Sequence, residues 1–179
     1  LQINLKVNIF ELEIWDNEAS LCTFYTVRDE GAALNETDKF FEKHHAIEEY
    51  EEPTSMLLNF LLKTIGEDHG AQEYFFNRHE NEVKGLPFQG KISLHDFCYH
   101  FPRFPLRLYA VRLRENIVIL FNGGIKDGAT NQTSRLHPQW IAACQYAQRI
   151  DQALIQKEIY IDEQSWEIKN SDQSNTIIL

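Results

Sequence analysis

The stretch Pro105-Leu-Arg-Leu-Tyr-Ala-Val-Arg-Leu-Arg-Glu-Asn-Ile-Val-Ile-Leu-Phe-Asn-Gly-Gly-Ile-Lys126 constrains the fold of this chain more than any other. Two runs rich in leucine and β-branched residues flank a polar break, Arg114-Glu115-Asn116. That is the sequence form of a β-hairpin. Ile117 to Phe121 is apolar at every position, as expected of a strand buried on both faces in the middle of a sheet.

A two-residue turn at Glu115 and Asn116 sets Arg114 opposite Ile117. Counting back, Tyr109 opposes Asn122, Arg107 opposes Gly124 and Pro105 opposes Lys126. Opposed residues project to the same face. Arg107, Tyr109, Asn122 and Lys126 then gather near one end of the hairpin, and such a set suits an anion or phosphate. The competing reading is ordinary strand-end residues facing water. A slip of one residue would scatter the set.

Charge sharpens the question. The chain of 179 residues carries a net charge of −10, which argues against non-specific attraction to nucleic acid. Yet the span from Lys84 to Arg135 holds eight Lys/Arg against three acids, or +5, leaving −15 for the rest. Either this basic region binds an anionic ligand, or the chain's own acidic helices neutralise it. The size and the 43% hydrophobic content fit one domain with a real core. No apolar run is long enough to span a bilayer, so no membrane association is expected. The start lacks a signal-peptide pattern. Cys22, Cys98 and Cys144 are odd in number and widely spaced, which favours free thiols in a reducing cytoplasm.

Along the chain, residues 3–28 read as two strands, with Phe10, Leu12 and Ile14 on one face. Asn35 or Thr37 caps a helix carrying Phe40, Phe41, His44 and Ile47. Adjacent His44 and His45 point about 100° apart on a helix and do not converge on a metal. The run Glu48–Glu52 reads as an exposed helix end or loop, Pro53 opens a second, strongly apolar helix, and Gly66 stops it. A weaker third helix is expected from about Ala71 to Lys84, and a strand over 91–100. Alternation would put Asp96, Cys98 and His100 on one face, but no fourth ligand accompanies them, so no metal is expected. The loop from Asp127 to Ser134 lacks the Gly-Lys-Ser/Thr ending of a phosphate-binding loop. Pro138 opens a last helix striped by Trp140, Ile141, Cys144, Ala147 and Ile150. Asn170 to Ser174 reads as a polar, mobile segment. Helices segregated from strands indicate an α+β fold with a mainly antiparallel sheet.

This layout resembles the RelE/ParE toxin superfamily, in its HigB-like, phage-derived branch. The residues that carry the resemblance are Leu106-Arg-Leu-Tyr109, Ile117 through Lys126, and Pro138 with the helix containing Ala142, Ala143, Ala147 and Arg149. The resemblance covers roughly residues 20–156. It implies a helical hairpin, then a curved, mainly antiparallel sheet and a closing C-terminal helix. On that reading 1–179 is a single RelE-like domain with an extra N-terminal strand and a tail over about 158–179. It also implies a metal-independent, cofactor-free mRNA interferase of a type II toxin–antitoxin system, cytoplasmic, silenced by an antitoxin and acting on mRNA or at the ribosome. In such chemistry the RNA's own 2′-hydroxyl attacks the neighbouring phosphate while cations stabilise the charge. Arg107 and Lys126 would be the phosphate clamps and His100 the acid–base group, with His95 and His137 as alternatives. Tyr109, Asn122, Arg112 and Arg135 would contact substrate. Family toxins are usually small and basic, whereas this chain is longer and acidic, and its Lys126 is followed by Asp127. Two other functions compete: a non-catalytic RelE-like binding protein of unknown partner, and a protein that self-associates through apolar N-terminal strands.

Overall fold

The computed structural model of the chain describes residues 8–128 and 134–179. The expected strand start at 3–7 and the loop positions 129–133 lie outside the described residues. A seven-stranded sheet dominates, in the order β11-β1-β2-β8-β7-β4-β3. Its strands are β1 (Phe10–Asp16), β2 (Thr23–Asp29), β3 (His79–Glu80), β4 (Val83–Leu86), β7 (Leu106–Arg114), β8 (Ile117–Ile125) and β11 (Ile177–Ile178). Every pairing is antiparallel except β2 with β8. The α+β class and the predominance of antiparallel pairing agree with the sequence reading, and the parallel pair makes the sheet mixed. The tail is no loose end. β9 (Ile159–Asp162) and β10 (Glu167–Asn170) form a ribbon, and the Asn170 amide donates to Ser174 Oγ and Thr176 O. Beyond it β11 returns to pair with β1 at the sheet's edge.

Helix α1 (Glu36–His45) starts where expected, with the Asn35 side chain accepting from the Asp38 N–H at 2.8 Å. Helix α2 (Glu48–Asn59) begins five residues before the expected Pro53 start. The acidic run forms its first turns, where carboxylates meet the positive end of the helix dipole. The chain then continues in wide π-helical turns over Phe60–His69 and stops at Gly70 (φ +75°), not Gly66. Gly66 is instead a packing glycine: a Cβ there would sit 2.8 Å from the Ala19 Cβ.

The expected helix from Ala71 to Lys84 is absent. Only one 3-10 turn forms, Glu73–Phe76, before the β3–β4 hairpin. Lys84 and Leu86 pair with Ala110 and Leu108 of β7, so sheet pairing overrides a weak helical pattern. The expected strand 91–100 is a hairpin of β5 (Lys91–Leu94) and β6 (Phe97–His100), turned at His95 with φ +44°. Asp96 lies in that turn, so it does not alternate with Cys98 and His100 on one strand face. Helix α3 (His137–Ile155) starts beside Pro138 as expected, but it does not close the fold, because β9, β10 and β11 follow it and β11 completes the sheet's edge.

The sheet separates two cores. Tyr109, Ile119 and Phe121 face α3 through Tyr146, Ala147 and Ile150. Leu106, Leu108, Ala110, Val118 and Leu120 face Phe40, Leu57, Phe60 and Ile65, with Ile92 and Tyr99 of the β5–β6 ribbon alongside. In that second core His44 is buried, its Nδ1 2.7 Å from the Phe40 carbonyl and its Nε2 without a hydrogen-bond partner among the described residues. Burial holds its pKa below the ordinary 6.5, against the opposing pull of the Phe40 bond. Protonation therefore favours the unfolded chain. The stability that neutral His44 contributes is present above about pH 6.5 and declines as pH falls below it. Unfolding midpoints of the wild type and His44→Gln, compared from pH 8 to 5, should diverge least at low pH. A constant difference would remove His44 from the account.

Candidate functional site

The hairpin register explains which residues meet. Arg107 opposes Gly124 and Arg114 opposes Ile117, as the two-residue turn requires. Between them lie two compensating irregularities, one between Leu108 and Ala110 and one between Arg112 and Arg114. At the first, Phe121 and Asn122 together face Tyr109. Phe121 takes the place beside Tyr109 in the α3-side core, stacking on Tyr146 at 5.9 Å. Asn122 is turned away toward α1, where its amide donates to Glu36 at 3.0 Å. The expected four-residue cluster therefore loses Asn122, because a bulge reverses the facing of one residue. Lys126 regains its place: its N–H bonds the Pro105 carbonyl at 2.7 Å, which sets it on the face of Arg107.

On that face Arg107 is 5% exposed and its guanidinium donates to Glu80 at 2.7 Å. Gly85 of β4 opens the space it needs, since a Cβ there would lie 2.7 Å from Arg78 Cδ and 3.0 Å from Arg107 Cδ. Arg78 is half-buried and donates from Nε to the Pro87 carbonyl at 3.3 Å. Burial, then the charge of Arg107, lowers its pKa. Lys126 is lowered too, first by burial, then by Arg107 and Arg78, with Glu80 pulling the other way. Tyr109 lies fully buried beside them, and burial pushes its phenol up. The centre is three cations around one carboxylate, and no described residue forms an ion pair with Lys126.

Other residues fall elsewhere. His100 sits exposed on the β5–β6 ribbon, which packs through Ile92 and Tyr99 on the opposite side of the sheet. His137, at the start of α3, is linked to the cluster through Trp140. Its ring lies 5.9 Å from that of Trp140, whose indole donates to the Glu80 carbonyl at 3.0 Å. His95 occupies the ribbon turn. Arg112 points to the helix side, with Nε donating to the Ala71 carbonyl and a 3.7 Å contact to Glu73. Arg135 pairs with Asp127, and its backbone N–H and guanidinium hold that carboxyl below its ordinary value. The ion-pair partners of the basic span come from β3, turns and loops: Glu80, Glu73, Glu163 and Asp127. The acid run of α2 takes no part in these pairs.

Arg78 and Glu80 are site residues that the sequence reading placed in a helix. The signal for a turn was Asn81, whose φ of +62° lies in the left-handed region that asparagine tolerates. Among the described residues no group of three His, Cys, Asp or Glu is placed to hold a metal, and no helix is long and apolar enough to cross a membrane.

Compared with known proteins, the chain matches no family model, no curated protein and no solved structure.

Proposed function

We propose that this chain is a toxin-like, metal-independent RNA endonuclease of the RelE kind, with its phosphate site at Arg78, Arg107 and Lys126. One observation carries the reading: Lys126 is drawn into a half-buried place beside the guanidiniums of Arg107 and Arg78, and among the described residues Glu80 is the carboxylate that offsets them; burial first, then those two charges, lower its pKa. Gathering like charges in a half-buried place is unfavourable for folding alone, so such clusters concentrate where a ligand supplies the missing charge. A bridging RNA phosphate does so, and the charge that grows on it as the 2′-hydroxyl attacks draws the cations in further. Lys126 and Arg78 hold the phosphate oxygens. Arg107, fixed by Glu80, sets the field from below. His137 takes the acid–base role that the sequence assigned to His100.

Induced expression tests this. Wild-type chain should arrest growth and cleave RNA, and Lys126→Ala should relieve arrest with a rate loss of about 10²-fold, the usual effect of removing one transition-state charge partner. Equal soluble protein is confirmed by immunoblot. Arrest undiminished in Lys126→Ala would refute the assignment.

A second reading has its own support. Arg107 is buried and already neutralised by Glu80, which fits a non-catalytic RelE-like protein that binds a partner without cutting RNA. Wild-type chain that binds RNA but neither cleaves it nor arrests growth would select this reading.

A further inference from the structure

Strand alternation places a second basic group directly across the sheet from the first. Gly85 opposes Tyr109, so it lies on the face of Arg78 and Arg107. Lys84 opposes both Ala110 and His79 and therefore lies on the other face, with Arg112 two residues beyond Ala110. There Lys84, Arg112 and His79 line a pocket of about 470 Å³ together with Glu73, Tyr74, Phe76 and Asn77. Lys84 Nζ contacts His79 Nδ1, and Arg112 holds the Ala71 carbonyl, so both cations are braced at the pocket wall. Glu73 is the only carboxylate among the lining residues and stands 3.7 Å from Arg112. Tyr74 is 38% exposed, and its ring forms a T-shaped pair with Phe75 at 4.7 Å. Asn77 is occupied by Gln89 through both its amide atoms. Between this pocket and the first cationic group there is only the sheet edge, the β3–β4 hairpin, whose outer strand has two residues.

We propose that the pocket is a second nucleotide subsite, so that single-stranded RNA crosses the β3 edge with one phosphate on each face. This rests on the phosphate-binding reading of Arg78, Arg107 and Lys126. Lys84 and Arg112 receive the flanking phosphate, and the exposed face of Tyr74 receives a base. Stacking on an aromatic ring tolerates any base, and cations track the backbone, the combination that single-strand binding requires. Duplex RNA is too stiff and wide to fold around a two-residue edge, so the substrate class is unpaired RNA.

The test is fluorescence anisotropy of the full chain with labelled dodeca-uridylate and with labelled uridylyl-uridine, which is too short to reach both faces; both carry 2′-O-methyl riboses, so that no 2′-hydroxyl is present to attack and the chain cannot cut them. Variants are Lys126→Ala, Lys84→Gln and Tyr74→Ala, each checked for an unchanged melting temperature. Lys84→Gln and Tyr74→Ala should each weaken dodecamer binding roughly five- to tenfold and leave the dinucleotide unaffected. Lys84→Gln should also reduce the salt dependence of log K by ~0.7, the value of one single-strand phosphate contact. Lys126→Ala should weaken both RNAs. Dodecamer binding that is lost in Lys126→Ala but intact in both pocket variants would overturn the second subsite and leave the first standing. Equal weakening of both RNAs by Lys84→Gln would overturn the edge crossing. Wild-type chain that binds neither RNA would overturn the phosphate-site reading itself.

Discussion

Gly123→Ala is expected to destabilise the protein by ~3 kcal/mol or more, near the upper end of overpacking effects. Gly123 lies opposite Leu108, just beyond the bulge. A Cβ at this position would stand 1.8 Å from the Arg107 carbonyl oxygen and 2.8 Å from its carbonyl carbon. Both are backbone atoms, so no rotamer change relieves the overlap. β7 cannot shift freely either, because it is paired on both sides, with β8 and β4. Either the bulge must re-form one residue away, which changes which of Asn122 and Gly123 approaches β7, or the strands must part. Gly124→Ala provides the contrast: among the described residues its Cβ meets Leu136 Cδ2 at 3.4 Å, an ordinary contact that should change stability by less than ~1 kcal/mol. Urea unfolding of the three proteins, read at constant slope, measures both values. Equal losses in the two variants would show that the close approach is not what requires glycine at 123.

That glycine also marks where the sequence was readable and where it was not. The turn at Glu115 and Asn116 and the pairing of Arg107 with Gly124 follow from counting, since a short turn fixes register at both strands. The two irregularities cancel, so Lys126 arrives on the expected face while Asn122 does not. Nothing local in Phe121-Asn122-Gly123 distinguishes a bulge from a regular ladder except the glycine itself. Helices α1 and α3 were legible because their apolar spacing is long and periodic. The span 71–100 was not, because β3 to β6 are two to four residues each and owe their form to partners. Val83 to Leu86 becomes a strand because β7 offers an edge. The Glu80–Arg107 pair joins residues 27 apart in sequence, and single-sequence periodicity carries no trace of such a contact. Arg78, which completes the cation group, was hidden for the same reason.

Glu80→Gln should give an outcome that a purely structural ion pair would not: lower stability together with tighter anion binding. The pair is shielded, with side-chain exposures of 6% for Arg107 and 18% for Glu80 at 2.7 Å. Removing one partner of a shielded pair leaves a charge without compensation, which costs roughly 3 kcal/mol. For Arg107→Ala the stranded charge is the carboxylate, and both stability and RNA affinity should fall. For Glu80→Gln the stranded charges are cations, Arg107 with Arg78 and Lys126 around it. The local potential then rises, and an incoming phosphate no longer competes with the Glu80 carboxylate for the cations around it. Affinity for dodeca-uridylate should increase severalfold at low salt and the gain should shrink as salt screens it. The double variant Arg107→Leu, Glu80→Leu, which removes both charges, should recover much of the stability while binding RNA poorly. Melting temperature and anisotropy on the same four proteins separate the two roles. If Glu80→Gln weakens binding as much as Arg107→Ala does, Glu80 acts by positioning Arg107 for the ligand, and its competition with phosphate is not the controlling effect.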